Sequence, residues 1–188
     1  RREDYLITER PLKAILAFSF PMMLGNLFQQ FYTMADSVIV GRFLGEDALA
    51  AVGASYALTA VFIAIAIGGG AGATVITSRE FGAKAFRKMK ESISTALIAF
   101  LLLSLLLGVM GFALSPSILA VLNTPENIMG DACSYLRIYF LGLPFLFMYN
   151  IFSSVFNSLG RSRIPLCLLV FSSLLNIALD IVAVAYMG

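Results

Sequence analysis

Histidine and tryptophan are missing from all 188 residues, and cysteine occurs only twice. Without histidine no Ser–His–Asp type of triad can be assembled, and two cysteines are too few for a structural zinc cluster. The topology developed below puts Cys133 near one membrane face and Cys167 near the other. That separation argues against a disulfide, whose Cα atoms must lie within about 7 Å, so both thiols are expected to pack as small hydrophobes. Charge is scarce as well: 13 basic and 11 acidic side chains make a net +2, spread too thinly to offer nucleic acid a basic face. The opening RREDYLITERPLK carries seven charges and no small-residue cleavage site, which argues against a cleaved leader. The first helix is expected to remain as an anchor.

What the chain has in excess is apolar sequence. Hydrophobic residues make up 60% and the mean hydropathy is +0.90, and long stretches lack the polar face that a soluble helix exposes. A bilayer core about 30 Å thick needs roughly 20 apolar residues at about 1.5 Å each. Five stretches qualify, at about 12–40, 48–78, 93–114, 135–159 and 164–187. The expectation is an all-α membrane protein with a bundle of about five transmembrane helices, forming one unit over residues 1–188. The connections are GRFLGED, SREFGAKAFRKMKE, SPSILAVLNTPENIMGD and GRSRIP, rich in turn formers and charge. Glu46 and Asp47 suit the positive end of the second helix.

Lysine and arginine are retained on the cytoplasmic side of short loops. Eleven of them fall in the N-terminal segment, the second connection and the fourth, against Arg42 and Arg137 on the other side. The N-terminus is therefore expected in the cytoplasm. Five spans then leave the C-terminal end outside, and the stop at AYMG suggests a truncated chain.

Ionisable groups inside a span cost roughly 2.5 to 3.5 kcal/mol on insertion scales, which makes them functional candidates. Two exist. Asp180 lies 16 residues past Ile164, about 24 Å up its helix, and Asp36 lies 24 past Leu12, about 36 Å. By this count they differ in depth by about 12 Å. Each belongs to a polar stripe at helical spacing: Asn26, Gln29 or Gln30, Thr33 and Asp36 on the first helix, and Ser173, Asn176 and Asp180 on the fifth. The fourth helix adds Asn150, Ser153 or Ser154, and Asn157, and counting from the shared loop predicts a patch of Asn150, Asn176 and Asp180. The plainer alternative for the serines, glutamines and Asn157 is interhelical hydrogen bonding, worth only about 0.6 kcal/mol each on average.

Pro21 sits nine residues into the first span, where a missing N–H and a ring clash predict a kink. Such breaks occur near transporter binding sites, and ordinary membrane helices also tolerate them. In GGGAGA, Gly68 and Gly72 have GxxxG spacing, which predicts close helix packing there. No GK[ST] follows, so the run is not a phosphate loop.

The segments FPMMLGNLFQQFYTMADSVIVGRFLGEDALAAVG, GGGAGATVITSREFGAK, NSLGRSRIP and LLNIALDIV, in this order, resemble the N-terminal part of multidrug and toxic compound extrusion (MATE) transporters. The resemblance implies two six-helix lobes, of which this chain supplies the first five helices. It also implies export of drugs, organic cations or other amphiphilic compounds across the inner membrane in exchange for Na⁺ or H⁺, with no other cofactor. The matching coupling positions are Asp36, Asn150, Asn176 and Asp180, with Asp180 and Asn176 as Na⁺ ligands if Na⁺ is the ion. Gln29, Thr33 and Ser173 become candidates for the substrate cavity. Arg161 departs from the acidic residue that many relatives carry in that loop. Competing expectations are a lipid-linked saccharide flippase of similar architecture, a structural membrane subunit, and an intramembrane aspartyl enzyme. The flippase is disfavoured by having only Arg42 and Arg137 on the outer side. The enzyme is disfavoured by the depth difference between the two aspartates.

Overall fold

The structure is a computed structural model that describes residues 10–43 and 45–187. Arg1 and Arg2, counted among the orienting charges, Leu44 in the first connection and the terminal Gly188 lie outside these residues. The described chain is five helices with no strand: α1 Pro11–Phe43, α2 Glu46–Gly82, α3 Phe86–Val121, α4 Glu126–Ser158 and α5 Arg163–Met187. Each contains a segment long and apolar enough to cross a membrane. In lipid a backbone has no water to bond, so an open chain satisfies its amides by coiling into helices.

The helices outrun the apolar stretches. α3 begins at Phe86 and reaches Val121, and α4 begins at Glu126, so much of SREFGAKAFRKMKE and SPSILAVLNTPENIMGD is helix rather than loop. Glu46 and Asp47 do occupy the first turn of α2. The turns left between the helices close in one way. Lys84 N–H bonds to the Phe81 carbonyl and Ala85 N–H to that of Glu80; Asn123 bonds to Ala120 and Thr124 to Leu119; Gly160 bonds to Asn157 and Arg161 to Phe156. This paired pattern caps the last carbonyls and needs a left-handed residue after the helix. Lys84, Asn123 and Gly160 take that conformation at φ 56°, 54° and 75°.

α4 is the hub. Its residues Ile128, Ala132, Leu136, Phe140, Leu143, Phe147 and Ile151 are buried at three- and four-residue intervals, one helical stripe. α2 and α3 pack against it, while α1 pairs with α5 and touches the other three helices little. α3 meets α4 through small residues, Ser104, Gly108, Gly111 and Ser115. A Cβ on Gly108 would sit 2.9 Å from the Phe140 carbonyl oxygen, and one on Gly111 would enter the Phe140 ring.

The GxxxG expectation at Gly68 and Gly72 is not met, because a Cβ at either would have open space around it. The close contacts belong to their neighbours. Gly69 abuts Phe100, and Gly70 abuts Ser154 and the Asn150 carbonyl. A helix face covers residues three and four apart, and the face turned to α4 passes through Ala66, Gly70 and Thr77 rather than Gly68. Cys133 packs against the core as expected, whereas Cys167 is exposed on α5.

Most serine and threonine hydroxyls do not bridge helices. Thr33 donates to the Gln29 carbonyl, Ser37 to Thr33, Ser55 to Ala51, Ser115 to Gly111 and Ser172 to Leu169, all within one helix. One turn, three or four residues back, puts a carbonyl within reach of each hydroxyl, so no partner helix is required. Thr74 adds a 3.3 Å bond to the Ser154 carbonyl, and Tyr139 donates to the Thr59 carbonyl at 3.3 Å.

Candidate functional site

α1 and α5 run in the same direction, and their contact fixes the height of everything above it. A Cβ on Gly25 would lie 3.6 Å from Leu169 Cδ2 and 3.7 Å from Leu166 Cδ1. Asp36 is 11 residues beyond Gly25, and Asp180 is 11 beyond Leu169, about 16 Å in both cases. The two carboxylates therefore share one level, close enough for their charges to act on each other. The 12 Å difference expected from the sequence is overturned. It assumed that Leu12 and Ile164 start level, but α1 extends 14 residues below Gly25 while α5 begins only six residues below Leu169.

At this level the packing leaves two acceptors without donors. Asn176 Oδ1 and Asp180 Oδ2 are buried and have no hydrogen-bond partner among the described residues. They lie one turn apart on one face of α5. An acceptor buried in that way costs about 1–3 kcal/mol, more when it is charged. Chemically, two such unmet acceptors can take a cation or a proton. Among the described residues no three His, Cys, Asp or Glu side chains converge as a metal-binding group. Oxygen from Asp180, Asn176 and Asp36 suits a hard cation rather than a transition metal.

Two tyrosines belong to this site and were missed in the sequence. Tyr32 feels the charges of both Asp36 and Asp180, and Tyr135 on α4 feels that of Asp36. Tyr32 lies four residues before Asp36, so helical spacing could have found it. Tyr135 has no such signal, because only tertiary packing brings α4 to this end of α1.

The remaining candidates sit elsewhere. Asn150 donates from Nδ2 to the Leu146 carbonyl at 2.9 Å and lines a cavity of about 270 Å³ bounded by α1, α4 and α5, with Ile67 of α2. Gln29 and Pro21 line it too, while Asn176, Asp180, Thr33 and Ser173 do not. The expected patch of Asn150 with Asn176 and Asp180 thus divides into a lower cavity and an upper carboxylate site. Ser173 is buried between them on α5, and Thr33 is exposed. α1 stays helical through the buried Pro21, which removes one rung of its ladder without ending it.

Comparison with known proteins places this geometry. The MatE family profile matches residues 21–182. A probable multidrug resistance protein of Bacillus subtilis, YoeA, is 32% identical over 94% of this chain, and the multidrug export protein MepA of Staphylococcus aureus is 27% identical over 94%. The chain spans 39% of the length of each. Among solved structures, an outward-facing multidrug resistance MATE transporter superposes with a TM-score of 0.93 at 26% identity, covering 100% of this chain and 42% of that one. A transporter of the same superfamily from Pyrococcus furiosus, described as having a binding pocket of reversed polarity, superposes at 0.92 with 26% identity, covering 100% and 41%. Proteins of this family are transporters, not enzymes, so the two level aspartates are no catalytic pair. The chain belongs to the MatE family of multidrug and toxic compound extrusion transporters and corresponds to part of its N-terminal lobe.

Proposed function

We propose that this chain forms the first five helices of an ion-coupled exporter of drugs, organic cations or other amphiphilic compounds, with Na⁺ or H⁺ as the exchanged ion. The observation that carries the reading is the pair of unpartnered oxygens, Asn176 Oδ1 and Asp180 Oδ2, on the level of Asp36. Asp180 is the principal coupling residue. Asn176 supplies a second oxygen one turn below, Asp36 adds negative charge across the α1–α5 contact, Asn150 and Gln29 belong to the lower cavity, and Ser173 lies between the two. A bound cation stabilises the carboxylate as charged and a proton stabilises it as neutral. Either ligand shifts the transporter only by its differential affinity for the two access states.

The names of the relatives, multidrug resistance and multidrug export proteins, support the substrate class. A sixth helix and a second lobe of the same transporter complete the pathway in this reading. The N-terminus lies in the cytoplasm and the bundle in the cytoplasmic membrane, in keeping with the cations at the α2–α3 and α4–α5 turns. The flippase alternative is weaker, because the Arg137 guanidinium stacks over the Phe112 ring of α3 at 5.4 Å, away from the α1–α5 cavity.

The test uses a full-length parent containing this segment. Asp180→Asn keeps the shape and removes the charge, so it is expected to insert normally and to lose ion-driven export. A well-expressed Asp180→Asn protein that exports at the parent's rate, with unchanged dependence on Na⁺ and pH, refutes the assignment.

A further inference from the structure

The lower cavity is unlike the carboxylate site above it. Its polar side chains are Asn26, Gln29, Asn150, Ser153, Ser154 and Asn157, neutral amides and hydroxyls from α1 and α4, with the Ser162 turn at its foot. At about 270 Å³ it falls below the roughly 300–1,000 Å³ of drug-sized pockets. It nevertheless has room for several waters, each of which needs about 30 Å³ in the liquid.

Asn157 supplies a second, independent observation. Its Oδ1 is buried and has no hydrogen-bond partner among the described residues, although a neutral amide can be satisfied by one donor. It lies one residue before the end of α4, at the end of the bundle that carries the basic turns. On α5 the cavity reaches Leu169. From there Ser173, Asn176 and Asp180 continue upward along one face at intervals of four, three and four residues. Ser173 is 8% exposed, so this small hydroxyl is all that α5 places between the cavity and the lower ligand oxygen.

We propose that the cavity is a hydrated vestibule that connects the Asn176–Asp180 site to the basic end of the bundle, with Asn157 at its entrance and Ser173 at its inner limit. The lining is mixed, but its amides and hydroxyls and the donor-seeking Asn157 oxygen give water the several polar partners it needs, whereas cavities that stay dry are wholly apolar. Through such a vestibule a small ion or proton leaves the coupling site while the larger substrate, which does not fit, takes another route. This rests on the coupling reading above for what passes, but not for the presence of water.

Access can be measured without transport. In a full-length parent lacking its native cysteines, Asn157→Cys and Ser153→Cys are each treated with a charged methanethiosulfonate reagent, in everted and in right-side-out vesicles. Leu168→Cys, at an α5 residue that is 53% exposed and lines no part of the cavity, serves as the comparison outside it. Both cavity thiols are expected to react at least tenfold faster than Leu168→Cys when the reagent is on the side of the α4–α5 turn. Reaction only from the opposite side, or at the Leu168→Cys rate from both, overturns the vestibule. If one cavity variant fails to insert, the other reports the same space. Fast labelling in a parent whose Asp180→Asn variant still couples would retain the vestibule and reject the coupling residue, so the two readings fail separately.

Discussion

Gly25 of α1 lies in van der Waals range of Leu169 of α5, and from that contact Asp36 and Asp180 are each 11 residues further along parallel helices. A Cβ at Gly25 would rest in ordinary contact with Leu169 and Leu166, which fixes the level at which the two helices meet, and the shared interval then brings both carboxylates to one depth. α1 and α5 form the part of the bundle least tied to the α2–α3–α4 group. The polar cavity and the carboxylate site both depend on that pair.

Two glycine substitutions are expected to move stability in opposite directions. Alanine at Gly111 drives a methyl into the ring of Phe140, and because that ring is itself fully buried it has nowhere to go. Overpacking of this kind costs about 1–3 kcal/mol. Alanine at Gly72 meets nothing within 4 Å and gains helix propensity of about 1 kcal/mol. Apparent melting temperatures in detergent should therefore fall for Gly111→Ala and rise for Gly72→Ala. Equal shifts for the two would contradict the packing of α3 on α4.

Lys84 holds the left-handed position that closes α2, at φ 56°. An L-residue other than glycine costs roughly 1–2 kcal/mol there. Glycine removes that cost but loses more freedom on folding, about 0.5–1 kcal/mol, so Lys84→Gly is expected to stabilise by up to about 1.5 kcal/mol. Ala83→Gly, one residue earlier at φ −76°, gains no relief and should lower the melting temperature. A loss of stability in Lys84→Gly would count against the turn.

Topology can be tested at two exposed positions, Lys88 on the first turn of α3 and Asn127 on the first turn of α4. In a background without Cys133 and Cys167, a membrane-impermeant thiol reagent added outside cells is expected to label Asn127→Cys and to spare Lys88→Cys. The reverse pattern would invert the orientation, and with it the side to which the lower cavity opens.

The membrane class, the number of helices and the carboxylates worth examining were legible in composition, run length and helical spacing. Asp36, Asn176 and Asp180 stood out because charge and amide side chains are costly in apolar runs. Span ends were less legible, since a helix continues through a local dip in hydropathy when packing covers it, as at Ser115–Pro116–Ser117, where α3 runs on to Val121 with Ser115 and Leu119 buried. Gly70 rather than Gly68 packs against α4 for a similar reason: spacing identifies a face but not which neighbour it meets.

From the sequence alone, each helix has its own polar stripe and its own internal ladder, because hydropathy and the 3.6-residue period are properties of a single segment. The relative heights of the helices are not. Asp36 and Asp180 appeared 12 Å apart when each helix was counted from its own start, and only the Gly25–Leu169 contact set α1 and α5 in register. That same register assigned Asn150 to the lower cavity, left Asn176 with the carboxylates and brought in Tyr135 from α4. Register between helices is decided by which side chains interdigitate, an interaction between segments that no single segment contains.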